Sequence, residues 1–178
     1  MGALKIQSGI FAILGSLVVV IATGCSDQTS SNEDNKRNDQ VVQLEDIKDE
    51  KGPDGQPIIF WRIKQENRDA ISAMLDAGYD IETKGGFDAT PIIGAALIDD
   101  WTTVLLLLKR GANPMVADRR GFTLNDLMNT SRVDLKGSYG VALEEVRALL
   151  KKRGINDTVY TPPQVKEMLK NGEWPPTN

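Results

Sequence analysis

Leu75 and Leu108, Gly78 and Gly111, and Thr90 and Thr123 are each 33 residues apart in this 178-residue chain. A fixed period of that size marks supersecondary units that cannot bury their apolar faces alone and must stack on one another. Residues 90–122 carry one full period without a gap. Pro91 suits the first turn of a helix, where its missing N–H would be unpaired anyway, and Thr90 is placed to cap it. Ala95 and Ala96 are small enough to let a second helix approach. The run 104–108 (Val-Leu-Leu-Leu-Leu) is apolar all round, as in a helix covered on both sides. Periodicity alone also allows a buried strand there, and the 33-residue frame favours the helix. Lys109-Arg110-Gly111 then reads as a helix stop, with cations at the negative end and a residue that tolerates positive φ.

Written out, Thr90-Pro91-Ile92-Ile93-Gly94-Ala95-Ala96 leads to Leu107-Leu108-Lys109-Arg110-Gly111-Ala112-Asn113 and to Asp118-Arg119-Arg120-Gly121-Phe122-Thr123. This resembles the ankyrin repeat, with its Thr-Pro-Leu-His opening, Ala-Ala pair, Leu-Leu run, Gly-Ala-Asp and Asp-x-x-Gly. Ile93 stands for the His of that pattern, Asp99 for the usual inter-helix Gly, and Asn113 for the Asp. Upstream, Gly55-Gln56-Pro57-Ile58-Ile59 matches the opening at an offset of 34, which puts one extra residue near 64–66 and a second helix over 69–77. Downstream, Gly121-Phe122-Thr123-Leu124 opens a third unit whose second helix covers 141–152. Gly154 follows Gly111 by 43, so ten residues are inserted, placed within 129–140 as a long loop. The expected fold is all-α, an ankyrin-repeat solenoid of about three helix-turn-helix repeats with capping helices. The repeats span 52–88, 89–121 and 122–154. An N-terminal cap at 41–51 uses Val41, Val42, Leu44 and Ile47. A C-terminal cap and tail occupy 155–178, with Thr161-Pro162-Pro163-Gln164 opening a helix, Val165, Met168 and Leu169 forming its stripe, and Gly172 stopping it.

The first residues carry Lys5 and no acid, then an apolar run over 10–21 that ends in Ala22-Thr23-Gly24-Cys25. A basic start, a short apolar stretch and small residues read as a secretory signal, and the run falls short of the roughly 20 residues that span a bilayer. The tetrapeptide resembles the bacterial lipobox, with Ala22 where Leu is preferred. That resemblance implies cleavage of 1–24 and lipidation of Cys25. Ser26 after it, by likeness to enterobacterial sorting, implies the periplasmic side of the outer membrane. Residues 26–40 contain no apolar side chain and read as a solvated tether with a reach of about 20 Å.

The chain has no His and a single Cys. Ser-His-Asp and Cys-His catalysis, His-ligated zinc and an internal disulfide are therefore outside its chemistry. With 21 basic against 25 acidic residues, it is no phosphate-neutralising nucleic-acid binder. Catalysis would have to use carboxylates. Asp99-Asp100 and Glu144-Glu145 are sequence neighbours that do not face each other on a helix, and Asp99-Asp100 reads as a solvated turn. No catalytic, cofactor or metal site is expected.

Ankyrin-like arrays bind partners at their hairpin tips, so the resemblance points to 84–88 and 118–122, and within them to Lys84, Phe87, Asp88, Arg119, Arg120 and Phe122. The alternative packs Phe87 and Phe122 on neighbouring turns and leaves the arginines solvated. Arg132 and Tyr139 of the insertion are further candidates, on a segment either functional or disordered, while Trp101 reads as core. Small ankyrin lipoproteins resemble periplasmic immunity proteins that block lipase or phospholipase effectors of type VI secretion. The implied partner is such a secreted toxin. An envelope scaffold binding a resident periplasmic protein, and a carboxylate hydrolase, are the rival readings.

Overall fold

The computed structural model describes residues 43–155 and 157–176, all within the unit Asp39–Asn178. The signal, Cys25, the tether and Val41–Val42 lie outside the described residues. What is described is all-α, with eight helices: α1 (Leu44–Ile47), α2 (Ile58–Lys64), α3 (Arg68–Asp76), α4 (Pro91–Leu97), α5 (Trp101–Lys109), α6 (Leu124–Thr130), α7 (Ser138–Lys152) and α8 (Pro162–Asn171). Helix α2 packs on α3 and α4 on α5. Helix α4 also lies against α2 and α6, and α5 against α7. Only two isolated antiparallel bridges, Lys51–Pro57 and Ala117–Thr123, interrupt the helical character among these residues.

The helices repeat in a stricter frame than the sequence suggests. Helices α2, α4 and α6 start at 58, 91 and 124, and α3 and α5 at 68 and 101. The interval is 33 throughout, so the expected extra residue near 64–66 is absent. An offset of 34 equates Pro57 with Pro91. In the structure Pro57 is the N-cap of α2, in the place of Thr90, whereas Pro91 occupies the first helical turn of α4. Helix α3 accordingly starts one residue earlier than expected, capped by Asn67, whose side chain accepts from Ala70 N–H at 3.0 Å. Thr90 does not cap α4. Its hydroxyl is buried without a partner. Thr123, its counterpart, does cap, accepting from Asp126 N–H at 3.2 Å.

Ile59, Ile63, Ile92, Ile93, Trp101, Val104, Leu107, Leu108 and Leu124 form the fully buried centre, so Trp101 is core as expected. The ten inserted residues do not make a long loop. Helix α6 continues through Thr130, the connection is 131–137, and α7 begins at Ser138 rather than 141. Six of the ten inserted residues are therefore extra helix on α7, and four lengthen the connection. Gly140 makes this possible: a Cβ there would run into Asp134 O and Leu135 Cα of the connection.

Leu44 and Ile47 of α1 pack against the core, Leu44 beside Gly78 at the end of α3. At the other end Gln164 Oε1 accepts from both the N–H and the hydroxyl of Thr161, each at 2.8 Å. Gly172 stops α8 at φ 72°. Of the expected stripe on α8, Val165 is fully buried, Met168 is half-buried and Leu169 is exposed. The start of α8 rests on Gly121, at φ 90°, where a Cβ would collide with the backbone of Pro162. Gly121→Ala should thus cost about 2–3 kcal/mol in chemical denaturation and detach α8, against about 1 kcal/mol for Gly111→Ala, whose Cβ meets nothing. Asp126 is 7% exposed on α6, and burial pushes its carboxyl above the ordinary 3.8. A raised acid favours the protonated folded state, so its contribution is present below the ordinary value and is lost as pH rises through the raised one. Asp126→Asn should therefore stabilise the fold by about 1 kcal/mol at pH 7 and flatten that decline, as read from denaturation midpoints across pH.

Candidate docking cleft

Three hairpin tips precede the first helices at the same interval: 52–56, 85–89 and 118–122. Each closes by a bond from its first N–H to its fifth carbonyl: Gly52 to Gln56 at 2.8 Å, Gly85 to Ala89 at 2.8 Å and Asp118 to Phe122 at 3.1 Å. Each takes positive φ at its fourth residue, Gly55, Asp88 or Gly121. The middle tip thus begins at Gly85, one residue later than the 84–88 expected, and exposed Lys84 stands just before it.

The tips are tied to one another through their second residues. Gly86 N–H donates to Gln56 Oε1 at 2.9 Å, and Arg119 N–H donates to the Phe87 carbonyl at 2.8 Å. Pro53 fills the same place in the first tip and has no N–H to donate.

Phe87, Asp88, Arg119, Arg120 and Phe122 come together in one cluster. Arg120 lies over Phe87, its Cζ 4.6 Å from the ring centre, and 5.0 Å from that of Phe122. Its Nε and Nη2 donate to Asp118 at 2.8 and 2.7 Å. Fully buried Asp118 also accepts from the N–H groups of Arg120 at 2.8 Å and Phe122 at 3.1 Å, closing the third tip. Arg119 pairs with Asp88 at 3.0 Å, an exposed ion pair of small energetic weight. Arg132 is exposed in the 131–137 connection. Tyr139 is not in this cluster: its hydroxyl donates to Glu66 Oε2 at 2.6 Å, and that bond together with burial raises its pKa.

Beside the cluster lies a cleft of about 260 Å³, bounded by the middle tip and by α2 and α4. Phe60, Ile63, Gly94, Leu97 and Ile98 form its apolar part, with Lys64, Gln56 and Arg120 at its polar edge. Glycines shape it: a Cβ on Gly94 would sit 3.0 Å from Phe60 Cδ1, and one on Gly85 2.6 Å from Phe60 Cζ. Phe87 (55%), Leu97 (37%) and Ile98 (49%) stay open to solvent. The two cations at the edge already have partners, Lys64 in Asp54 and Arg120 in Asp118. The Lys64 bond holds the Asp54 carboxyl below its ordinary range. What remains unmet in the cleft is apolar surface. Leu97 and Ile98 are absent from the sequence-based candidates; the signal for them is Ile92-Ile93-Gly94-Ala95-Ala96-Leu97-Ile98, more apolar than a short helix can bury on one face.

A broader depression of about 600 Å³ lies between α6, α7 and the residues Ile155, Asp157 and Val159. There Arg147 Nη2 donates to the Met128 carbonyl at 2.8 Å and Asn125 Nδ2 to that of Thr158 at 3.2 Å, so its polar groups join the elements around it.

Asp99 and Asp100 are engaged at the turn before α5. Asp100 is 2% exposed rather than solvated. It caps α5, accepting from Thr103 N–H at 3.1 Å and from the Thr103 hydroxyl at 2.5 Å. Asp99 accepts from Trp101 Nε1 at 3.0 Å and from Ser131 Oγ at 2.7 Å. Glu144 and Glu145 are exposed, pairing with Arg147 at 3.4 Å and Lys109 at 3.5 Å. Asp118→Ala should cost about 2–3 kcal/mol in denaturant, because it removes the acceptor that closes the third tip and releases Arg120 from its seat.

No protein-family model matches this chain, and no curated protein matches it.

Proposed function

We propose that the chain is an ankyrin-repeat docking module without catalytic activity, and that its cleft receives an apolar side chain from a protein partner. The unbroken 33-residue interval from Pro57 to Thr130, the hairpin tips and the alternation of helix pairs support the ankyrin reading. One observation carries the docking role: Phe87, Leu97 and Ile98 leave apolar surface open beside edge groups that are already paired. Such a site gains by excluding water from its floor, and its cations are already paired with Asp54 and Asp118.

The biological role we infer is that of a lipoprotein anchored through Cys25 on the periplasmic side of the outer membrane. There it would act as an immunity protein that covers a secreted lipase or phospholipase effector. Tethering at the surface such an enzyme attacks would raise the local concentration of the inhibitor. The lipobox at 22–25 and the likeness to small ankyrin lipoproteins support this role.

The test is protection. Cells carrying the wild-type gene should survive sibling attack that kills the deletion strain. Ile98→Glu should weaken binding of the cognate effector about 30-fold or more, as expected when a buried anchor is lost, with helicity and denaturation midpoint unchanged. Equal survival of the deletion strain would refute the immunity role. Full binding by Ile98→Glu would remove the cleft from it.

A further inference from the structure

The inter-helix turns of the first two helix pairs carry acids at positive φ, Glu66 at 53° and Asp99 at 58°. A side chain in that region costs about 1–2 kcal/mol relative to ordinary helical backbone, a cost glycine escapes. Both acids are held by the segment inserted in the third pair. Tyr139 donates its hydroxyl to Glu66 Oε2 at 2.6 Å, across 73 residues of sequence. Ser131 donates its hydroxyl to Asp99 Oδ1 at 2.7 Å, and Trp101 Nε1 lies 3.0 Å from each of these two oxygens. Arg68 bridges the turns, 3.8 Å from Glu66 and 3.7 Å from Asp100. The contacts form a closed ring: third pair to first, first to second, second back to third.

We propose that the insertion is a clasp, strapping the turn of the first helix pair to the third across the middle one and so fixing the spacing of α2, α4 and α6. The strained acids and the insertion then explain each other, since an acid in place of glycine is useful at these turns only if something grips it. The clasp acts on the cleft directly, because exposed Ile98 is the residue before Asp99. The proposal is independent of what occupies the cleft, and it gives Tyr139 an intramolecular role in place of partner contact.

Amide hydrogen exchange on the full chain tests it. Gly86 and Arg119 are the informative amides, since each bonds to the preceding tip rather than within its own helix. Tyr139→Phe should speed their exchange about fivefold while the interiors of α4 and α5 stay protected. Glu66→Gln keeps an acceptor and should stay within about twofold of wild type. Glu66→Gly relaxes the backbone yet removes the acceptor, and should behave as Tyr139→Phe. The clasp is overturned if changes stay confined to 66–68 and 131–139, if all helices lose protection alike, or if Glu66→Gly exchanges as slowly as wild type.

Discussion

Each helix pair here is too thin to bury both of its faces, and the fold depends on that shortage. Helix α4 is apolar nearly all round because α2 lies on one side of it, α6 on the other and α5 behind. Helix α5 likewise buries Trp101, Val104, Leu107 and Leu108 against α4 and α7. Apolar burial at about 25 cal/mol per Å² drives the stacking but sets no register of its own. The directional work falls to the polar groups at the two ends of the first helices. At the tips, backbone amides reach back to the previous hairpin; at the turns, Asn67 and Asp100 cap the second helices at matching positions.

The two ends differ in exposure and therefore in what they can do. The turn end carries the buried cap Asp100 and the shielded Asp99, Ser131 and Trp101 contacts, where hydrogen bonds count for more because water does not compete. The tip end carries Phe87 and the Arg119–Asp88 pair in the open. Only Arg120 is fixed there from several sides, by Asp118 and by two aromatic faces. The tip end thus sets a rigid arginine beside solvent-facing aliphatic groups, while at the turns Asp100 holds backbone and Asp99 and Glu66 accept from side chains.

Much of this was legible in the residues. The interval between Gly78 and Gly111, the helix at 104–108, the buried Trp101 and the α8 start at Pro162 follow from spacing and end chemistry. Pro57 misled, because proline fits both the cap and the first turn, and only the backbone distinguishes a 34-residue offset from 33. Thr90 misled because Thr-Pro reads the same whether or not the hydroxyl turns toward the helix amides, and here it does not. The insertion was visible as a count of residues but not as helix, since Gly137 and Gly140 read as loop where Gly140 in fact lets the chain pass close. The partnership of Tyr139 with Glu66 has no local signature, and neither does the exposure of Ile98. Both arise from which helices come to lie side by side.

Pro53 has one more implication. In the later tips the corresponding amide is the hook by which one hairpin hangs on its predecessor. Proline has no hydrogen there, so a fourth unit could not be added upstream by the same joint. Downstream, the main chain of Pro162 lies where any side chain at Gly121 would have to go, and shuts that side as well. Many stacked-helix architectures lengthen by duplication, but this one has a stopper at either end.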